Sequence, residues 1–242
     1  MNILELKLIA IYMHIQITNS GEPKIIGVTN GIYQMEINFE KIKPVYSLIM
    51  DTNMDDFLES QSEINSLSFD GVNAQLTKKA KITDIMVFSP FVFGAEYVVT
   101  SKFLSCLEKV GVSKNEYQAK KMSISGLGDD FYLLFVPVIP TTDICFSKSL
   151  IYDDDDDAPF GSKSNLNIKT YAKYLEVEQE NPFISFEKIS IDAKFSDSDI
   201  LFFQASNDLF FSERLYDKLR QENVSSLIRK RNQISLDFSL IG

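Results

Sequence analysis

The sequence predicts an α+β fold: a mixed or antiparallel sheet with few helices, containing two related strand-helix-strand units. Three observations carry this expectation. Short apolar segments with strand-like patterning recur along the chain, and amphipathic helices stand out at 101–110 and 213–222. The segments around those two helices also echo each other at an offset of 112 residues.

In the first third, Lys24 to Val28 and Ile32 to Phe39 read as a strand pair joined by a turn at Asn30-Gly31, with Tyr33, Met35, Ile37 and Phe39 alternating along the second strand. The more polar stretch from Asp51 to Ser66 spaces Met54, Phe57 and Leu58 for a short helix. Strands are expected at Ile85 to Phe88 and Tyr97 to Val99. The helix from Ser101 to Val110 puts Phe103, Leu104, Leu107 and Val110 on one face. Gly111 ends it, because glycine tolerates the left-handed conformation that closes a helix. Phe131 to Ile139 is continuously apolar, as in a strand covered on both faces, with Pro137 and Pro140 bounding its length. Asp153 to Asn167, rich in Asp, Ser, Gly, Asn and Pro, reads as a loop. Strands resume at Ile184 to Ile191 and Ile200 to Phe203.

The echo pairs Val98-Val99-Thr100 with Phe210-Phe211-Ser212, and Phe103 and Leu107 with Leu215 and Leu219. Gly111-Val112-Ser113 falls on Asn223-Val224-Ser225, asparagine being the next-best residue for a left-handed cap. Met122-Ser123-Ile124 falls on Ile234-Ser235-Leu236. Upstream, Asp84 to Phe88 resembles Asp199 to Phe203, with three residues inserted in the first copy.

With 45% apolar and 24% charged residues, the chain has globular composition, and its 242 residues suffice for one domain spanning 1–242. Within it, 1–78 is a strand-rich N-terminal part and 79–242 carries the repeat. The net charge of −10 is unevenly distributed: residues 122–212 carry 16 acidic and 6 basic side chains, and five of those acids are Asp153, Asp154, Asp155, Asp156 and Asp157. A field of that sign repels nucleic-acid phosphate and anionic lipid and attracts basic protein surfaces. The aspartate run is thus a partner-binding candidate as well as a solvated loop.

The N-terminal MNILELKLIAIYMHIQITNS lacks a basic n-region, and Glu5 and Lys7 interrupt its apolar part, so a signal peptide is not expected. No run approaches the ~18 apolar residues of a membrane span. Cys106 and Cys145 match no metal or redox spacing and read as buried thiols of a reducing compartment. A cytoplasmic location is the resulting expectation.

Sequence motifs for catalysis are weak. His14 is the only histidine and has no nearby nucleophile to activate, so it reads as structural. Gly126-Leu127-Gly128 precedes a strand where a dinucleotide fingerprint would follow one, and so reads as a turn. Arg229-Lys230-Arg231 reads as a basic hairpin edge that discourages strand pairing. No cofactor or metal site is expected. Among 34 acidic residues, however, a carboxylate pair could form through folding alone.

The segments VVTSKFLSCLEKVGV and FFSERLYDKLRQENV share a pattern: an apolar pair, Ser or Thr, two polar or charged residues, then Leu or Phe at fixed spacing and a Gly or Asn stop. This resembles the motif of the immunity-11 type family, the immunity proteins of bacterial polymorphic toxin systems. The run FYLLFVPVIPTTDICFSKS also resembles the family's central segment, and the likeness covers roughly 82–238. Asn223 stands where the family has glycine. The resemblance implies an α+β body without catalytic residues or cofactor, which inhibits a cognate toxin by direct binding. A hydrolase or transferase with an unrecognised carboxylate site, or a scaffold domain, is the alternative.

Overall fold

A computed structural model describes residues 13–29, 33–38, 40–43, 54–153 and 164–239. It is a mixed α+β structure of three sheets. The first is a rolled barrel made of β2 (Met35–Ile37), β3 (Asn73–Leu76), β4 (Ile85–Met86), β5 (Phe88–Ser89), β6 (Tyr97–Thr100), β7 (Gln118–Ile124) and β8 (Gly128–Phe135). Its order is β4-β6-β8-β7-β3-β2-β5. Its two outer strands, β4 and β5, are separated in the chain only by Val87, so the sheet curls back on itself. The expected strand at Ile85 to Phe88 therefore exists but serves both edges.

The second sheet is central, with order β15-β1-β14-β13-β9. These strands are β1 (His14–Asn19), β9 (Val138–Ile139), β13 (Ile200–Phe203), β14 (Asp208–Ser212) and β15 (Leu227–Arg229). Apolar residues on both faces make it a partition between two cores. Ile200, Phe202, Leu209 and Phe211 face the core shared with the barrel, while Leu201, Phe203 and Phe210 face the other. That second core is closed by β10 (Leu150–Asp153), β11 (Ser164–Leu166), β12 (Ile184–Asp192) and β16 (Ser235–Ser239), in the order β11-β10-β12-β16. The apolar run Phe131 to Ile139 is divided between sheets: β8 ends at Phe135, and the chain crosses into the central sheet at Val136-Pro137. Proline lacks the N–H to continue a ladder, which is why the break falls there.

Among the described residues, four helices of seven or more residues accompany the sheets: α1 (Met54–Ser60), α2 (Ser101–Val110), α3 (Tyr171–Glu180) and α4 (Glu213–Gln221). The reading of Lys24 to Val28 as a strand is corrected, because Pro23–Ile26 is a turn of helix ended by Gly27 at φ 82°. Proline suits a first helical turn. At Gly27 a Cβ would lie 2.2 Å from the Lys79 carbonyl oxygen, so only glycine fits. The expected turn at Asn30-Gly31 lies outside the described residues.

The repeat is present in backbone pairing as well as pattern. In one unit β4 and β6 pair antiparallel with Ile85 opposite Val99; in the other β13 and β14 pair with Ile200 opposite Phe211. Thr100 and Ser212 then cap α2 and α4, accepting from the N–H of Phe103 and Leu215. Both helices end in a left-handed residue, Gly111 at φ 80° and Asn223 at φ 54°. The units are completed differently. Next to β6 lies β8, which follows it in the chain, whereas next to β14 lies the N-terminal β1. The echo also stops earlier than expected: β7 lies in the barrel, but β16, which holds Ser235 and Leu236, pairs in parallel with β12 in the third sheet. Strands β1 and β3, from the N-terminal part, pair with β14 and β7 of the later part.

Candidate functional site

Of the acidic run, Asp153 ends β10 and accepts a hydrogen bond from Asn181 Nδ2 at 2.8 Å, while Asp154, Asp155, Asp156 and Asp157 lie outside the described residues. Pairing of β10 with β12 sets Asp153 opposite Ile184. The residue before it, Phe183, is 63% exposed. Helix α3 approaches the same end of the sheet through Asn181, its C-cap. That helix carries Glu176, Glu178 and Glu180 toward its C-terminus and has no basic residue in its last turn. A helix C-terminus holds roughly half a negative charge, so these carboxylates add to an unfavourable field that a cation would relieve. An exposed phenyl ring, an acidic helix end and the start of the aspartate run thus meet at one end of the third sheet. Charge along the chain made half of this legible; Phe183 joins it only through strand pairing.

A second carboxylate group lies where the two repeat units meet. Glu96 and Asp208 each stand four residues before their helix cap, Thr100 and Ser212, and so occupy equivalent positions. Asp208 is buried and forms an ion pair with Lys230. Glu96 Oε1 is shut off from solvent and receives no hydrogen bond. Burial, reinforced by the Asp208 carboxylate and only partly offset by Lys230, pushes the Glu96 carboxyl up to about 7. Lys230, read from sequence as an edge charge, here neutralises Asp208; Arg229 ends β15, the outer strand of the central sheet.

The caps of the two helices are built alike and reach across to each other. Asp84 Oδ1 accepts from Thr100 Oγ1 at 2.8 Å and Asp84 Oδ2 from Lys102 Nζ at 3.1 Å. In the second unit Asp199 accepts from Ser212 Oγ and from the Arg214 guanidinium, whose Nε lies at 2.7 Å. The loop after each helix then binds the other unit's aspartate backbone. Ser225 Oγ accepts from the Asp84 N–H at 2.8 Å, and Glu116 Oε2 accepts from the Asp199 N–H at 2.7 Å. Burial acts to raise the Asp84 carboxyl, but hydrogen bonds from Ser225, Thr100 and Lys102 outweigh it and hold it below the usual range. Glu116 shifts upward, chiefly through burial.

Two neighbouring cavities of about 260 and 340 Å³ share Asn115, Pro137 and Val138 at the crossover between barrel and central sheet. The smaller is walled by Phe57, Ile64 and Phe135, and the buried Gln118 Oε1 beside it has no donor. His14 Nε2 lies 2.7 Å from the Ser198 carbonyl oxygen, a structural tie between β1 and the segment leading into β13. Gly126 and Gly128, at φ 81° and 94°, form the β7–β8 turn. Cys106 is buried, and burial raises its thiol; Cys145 is only half-buried, correcting the reading of two buried thiols. Among the described residues no group of three His, Cys, Asp or Glu side chains is placed to hold a metal ion, and no helix is long and apolar enough to cross a membrane. No protein-family model matches the chain, and no match was found among curated proteins.

Proposed function

We propose that this chain is an immunity protein of the bacterial cytoplasm that neutralises a toxin by binding it directly, through the end of the third sheet. The observation that carries the reading is the meeting of exposed Phe183 with the acidic end of α3 and Asp153. Interfaces draw their energy from aromatic anchors and their association rate from complementary charge. The likeness of the two helical units to the immunity-11 type motif supplies the class of partner. A toxin with a basic surface, as nucleic-acid-cleaving enzymes need for their substrate, would meet this face with opposite charge.

Co-expression with a toxin encoded beside this chain tests the reading: growth is expected to be rescued, and continued killing counts against it. In the purified pair, Phe183→Ala should weaken binding by at least about tenfold, mainly through faster dissociation. Replacing Asp153 to Asp157 by Asn should slow association by about tenfold at low ionic strength. That difference should shrink near physiological salt, where charges are screened beyond about 8 Å. Unchanged kinetics in both variants would move the interface to another face.

The Glu96–Asp208 pair gives a second reading, a hydrolase or transferase, its one structural foothold, since a carboxyl raised to about 7 beside a charged one suits acid–base exchange. Glu96→Gln discriminates: rescue from the toxin survives this change under the first reading.

A further inference from the structure

We propose that a cleft beside α3 receives an arginine side chain of the partner, its aliphatic stem against Phe93, Tyr171 and Leu175 and its guanidinium paired with Glu178. The inference rests on the toxin-binding reading for the partner and adds the group that the partner inserts. The cleft has a volume of about 230 Å³ and lies where three parts of the chain meet. Helix α3 supplies Tyr171, Tyr174, Leu175 and Glu178, the segment between β5 and β6 supplies Phe93, and the turn after β13 supplies Gln204.

The walls are fixed by packing behind them. Tyr174 is buried, with its ring 5.2 Å from that of Phe146 and 5.8 Å from that of Phe186. Tyr171 lies against Phe146 as well, at 6.2 Å. Phe93 meets Phe57 and Phe202 edge-on, at 6.1 and 5.6 Å. The Tyr174 hydroxyl donates to Glu178 Oε1 at 2.8 Å, which holds the carboxylate at the cleft. Burial, and then that bond, push the Tyr174 ionisation up, so the hydroxyl stays a donor. A receptor ordered in this way loses little side-chain freedom on binding.

Charge and shape select the occupant. Lys173, the one basic residue of α3, pairs with Glu176 at 2.9 Å and not with Glu178. The C-terminal end of the helix adds partial negative charge to a chain of net charge −10, so an anion is repelled. A purely apolar side chain would strip water from the Glu178 carboxylate without replacing its hydrogen bonds. Gln204 Oε1 already accepts from the Thr141 N–H at 2.8 Å and from Thr141 Oγ1 at 3.0 Å, which leaves Glu178 as the acceptor for an incoming cation. The aromatic walls favour arginine over lysine, because a guanidinium is planar and weakly hydrated, stacks on rings and forks to a carboxylate. Position agrees with the interface: Glu178 is on the helix whose C-cap, Asn181, bonds Asp153, with exposed Phe183 just beyond.

The test separates the cleft from the toxin. With no partner present, the full chain is titrated with N-acetyl-arginine amide and followed by NMR at the Leu175 methyls and the Phe93 and Tyr171 rings. Saturable shifts are expected, with binding at least about fivefold weaker in Glu178→Gln and for N-acetyl-norleucine amide, which keeps the stem and lacks the charge. Position 178 is exposed, and glutamine still offers an oxygen to the Tyr174 hydroxyl, so this variant folds. An equal response to both probes, an unchanged response in the variant, or no response overturns the guanidinium site. In the purified pair with a toxin encoded beside this chain, Glu178→Gln should weaken binding by at least about tenfold, mainly through faster dissociation. If the wild-type pair binds and Glu178→Gln leaves it unchanged, the toxin reading stands and the cleft has no part in it. If the arginine probe binds but the toxin does not, the site stands and the toxin is overturned as the source of its guanidinium.

Discussion

Truncating Phe211 to Ala will lower the unfolding free energy by about 3–5 kcal/mol, the range for deleting a fully buried aromatic from a packed core. Phe211 is fully buried in the middle of the central sheet, with Ile15 opposite on one side and Ile200 on the other. Its ring lies 6.2 Å from that of Phe103 on α2, so one side chain joins the strand of one repeat unit to the helix of the other. Burying a phenyl ring is worth about 1.5–3 kcal/mol by transfer alone. The remainder is the cavity left behind, because β14 is paired on both edges and cannot move inward to fill it. Urea denaturation with a constant m-value measures the loss, and a cost under about 1.5 kcal/mol would mean that this core is not packed as described.

The same strand shows what sequence can and cannot convey. In β13 and β14, Ile200 to Phe203 and Leu209 to Phe211 are apolar at every position, the mark of a strand covered on both faces, and the two cores divide them by alternation. Helices α2 and α4, their Thr100 and Ser212 caps and the Gly111 and Asn223 stops were readable because capping is local chemistry, whereas α3 was not expected from the sequence. Lys24 to Val28 misled because its apolar content suits either element, and the decision lay with Pro23 and with the close approach of Lys79 to Gly27. Barrel closure was out of reach, since it rests on parallel pairings such as β3 with β7, far apart in the chain. So was the insertion of β1 beside β14. At the candidate interface the aspartates announce themselves as charge, whereas Phe183 is unremarkable until strand pairing sets its neighbour Ile184 opposite Asp153.

Asp199→Ala will destabilise the protein by about 3 kcal/mol, far more than Arg214→Ala, although the two side chains form one ion pair. The Asp199 side chain is 1% exposed and that of Arg214 is 57% exposed. An ion pair with so exposed a partner is screened and contributes about 1 kcal/mol or less. The larger share comes from Ser212. Its Oγ donates to Asp199 while accepting from the Leu215 N–H at 3.3 Å, so the aspartate orients the hydroxyl that caps α4. Without Asp199 the buried Ser212 proton loses its acceptor and the cap loses its fixed rotamer; an unsatisfied buried polar group costs about 1–3 kcal/mol and a lost cap about 1 kcal/mol. Asp84 provides the internal comparison. It has the same roles toward Thr100 and Lys102, but Ser225 also donates to it through N–H and Oγ, both at 2.8 Å. Asp84→Ala should therefore also loosen the joint between the units. Because the Asp84 carboxyl is held below its usual value, its contribution is present above about pH 4 and is lost as pH falls through the depressed value. Unfolding of the three variants at pH 7, with the wild type carried down to pH 3, measures this order. Equal losses for Asp199→Ala and Arg214→Ala would place the energy in the ion pair and remove the cap-orienting role from Asp199.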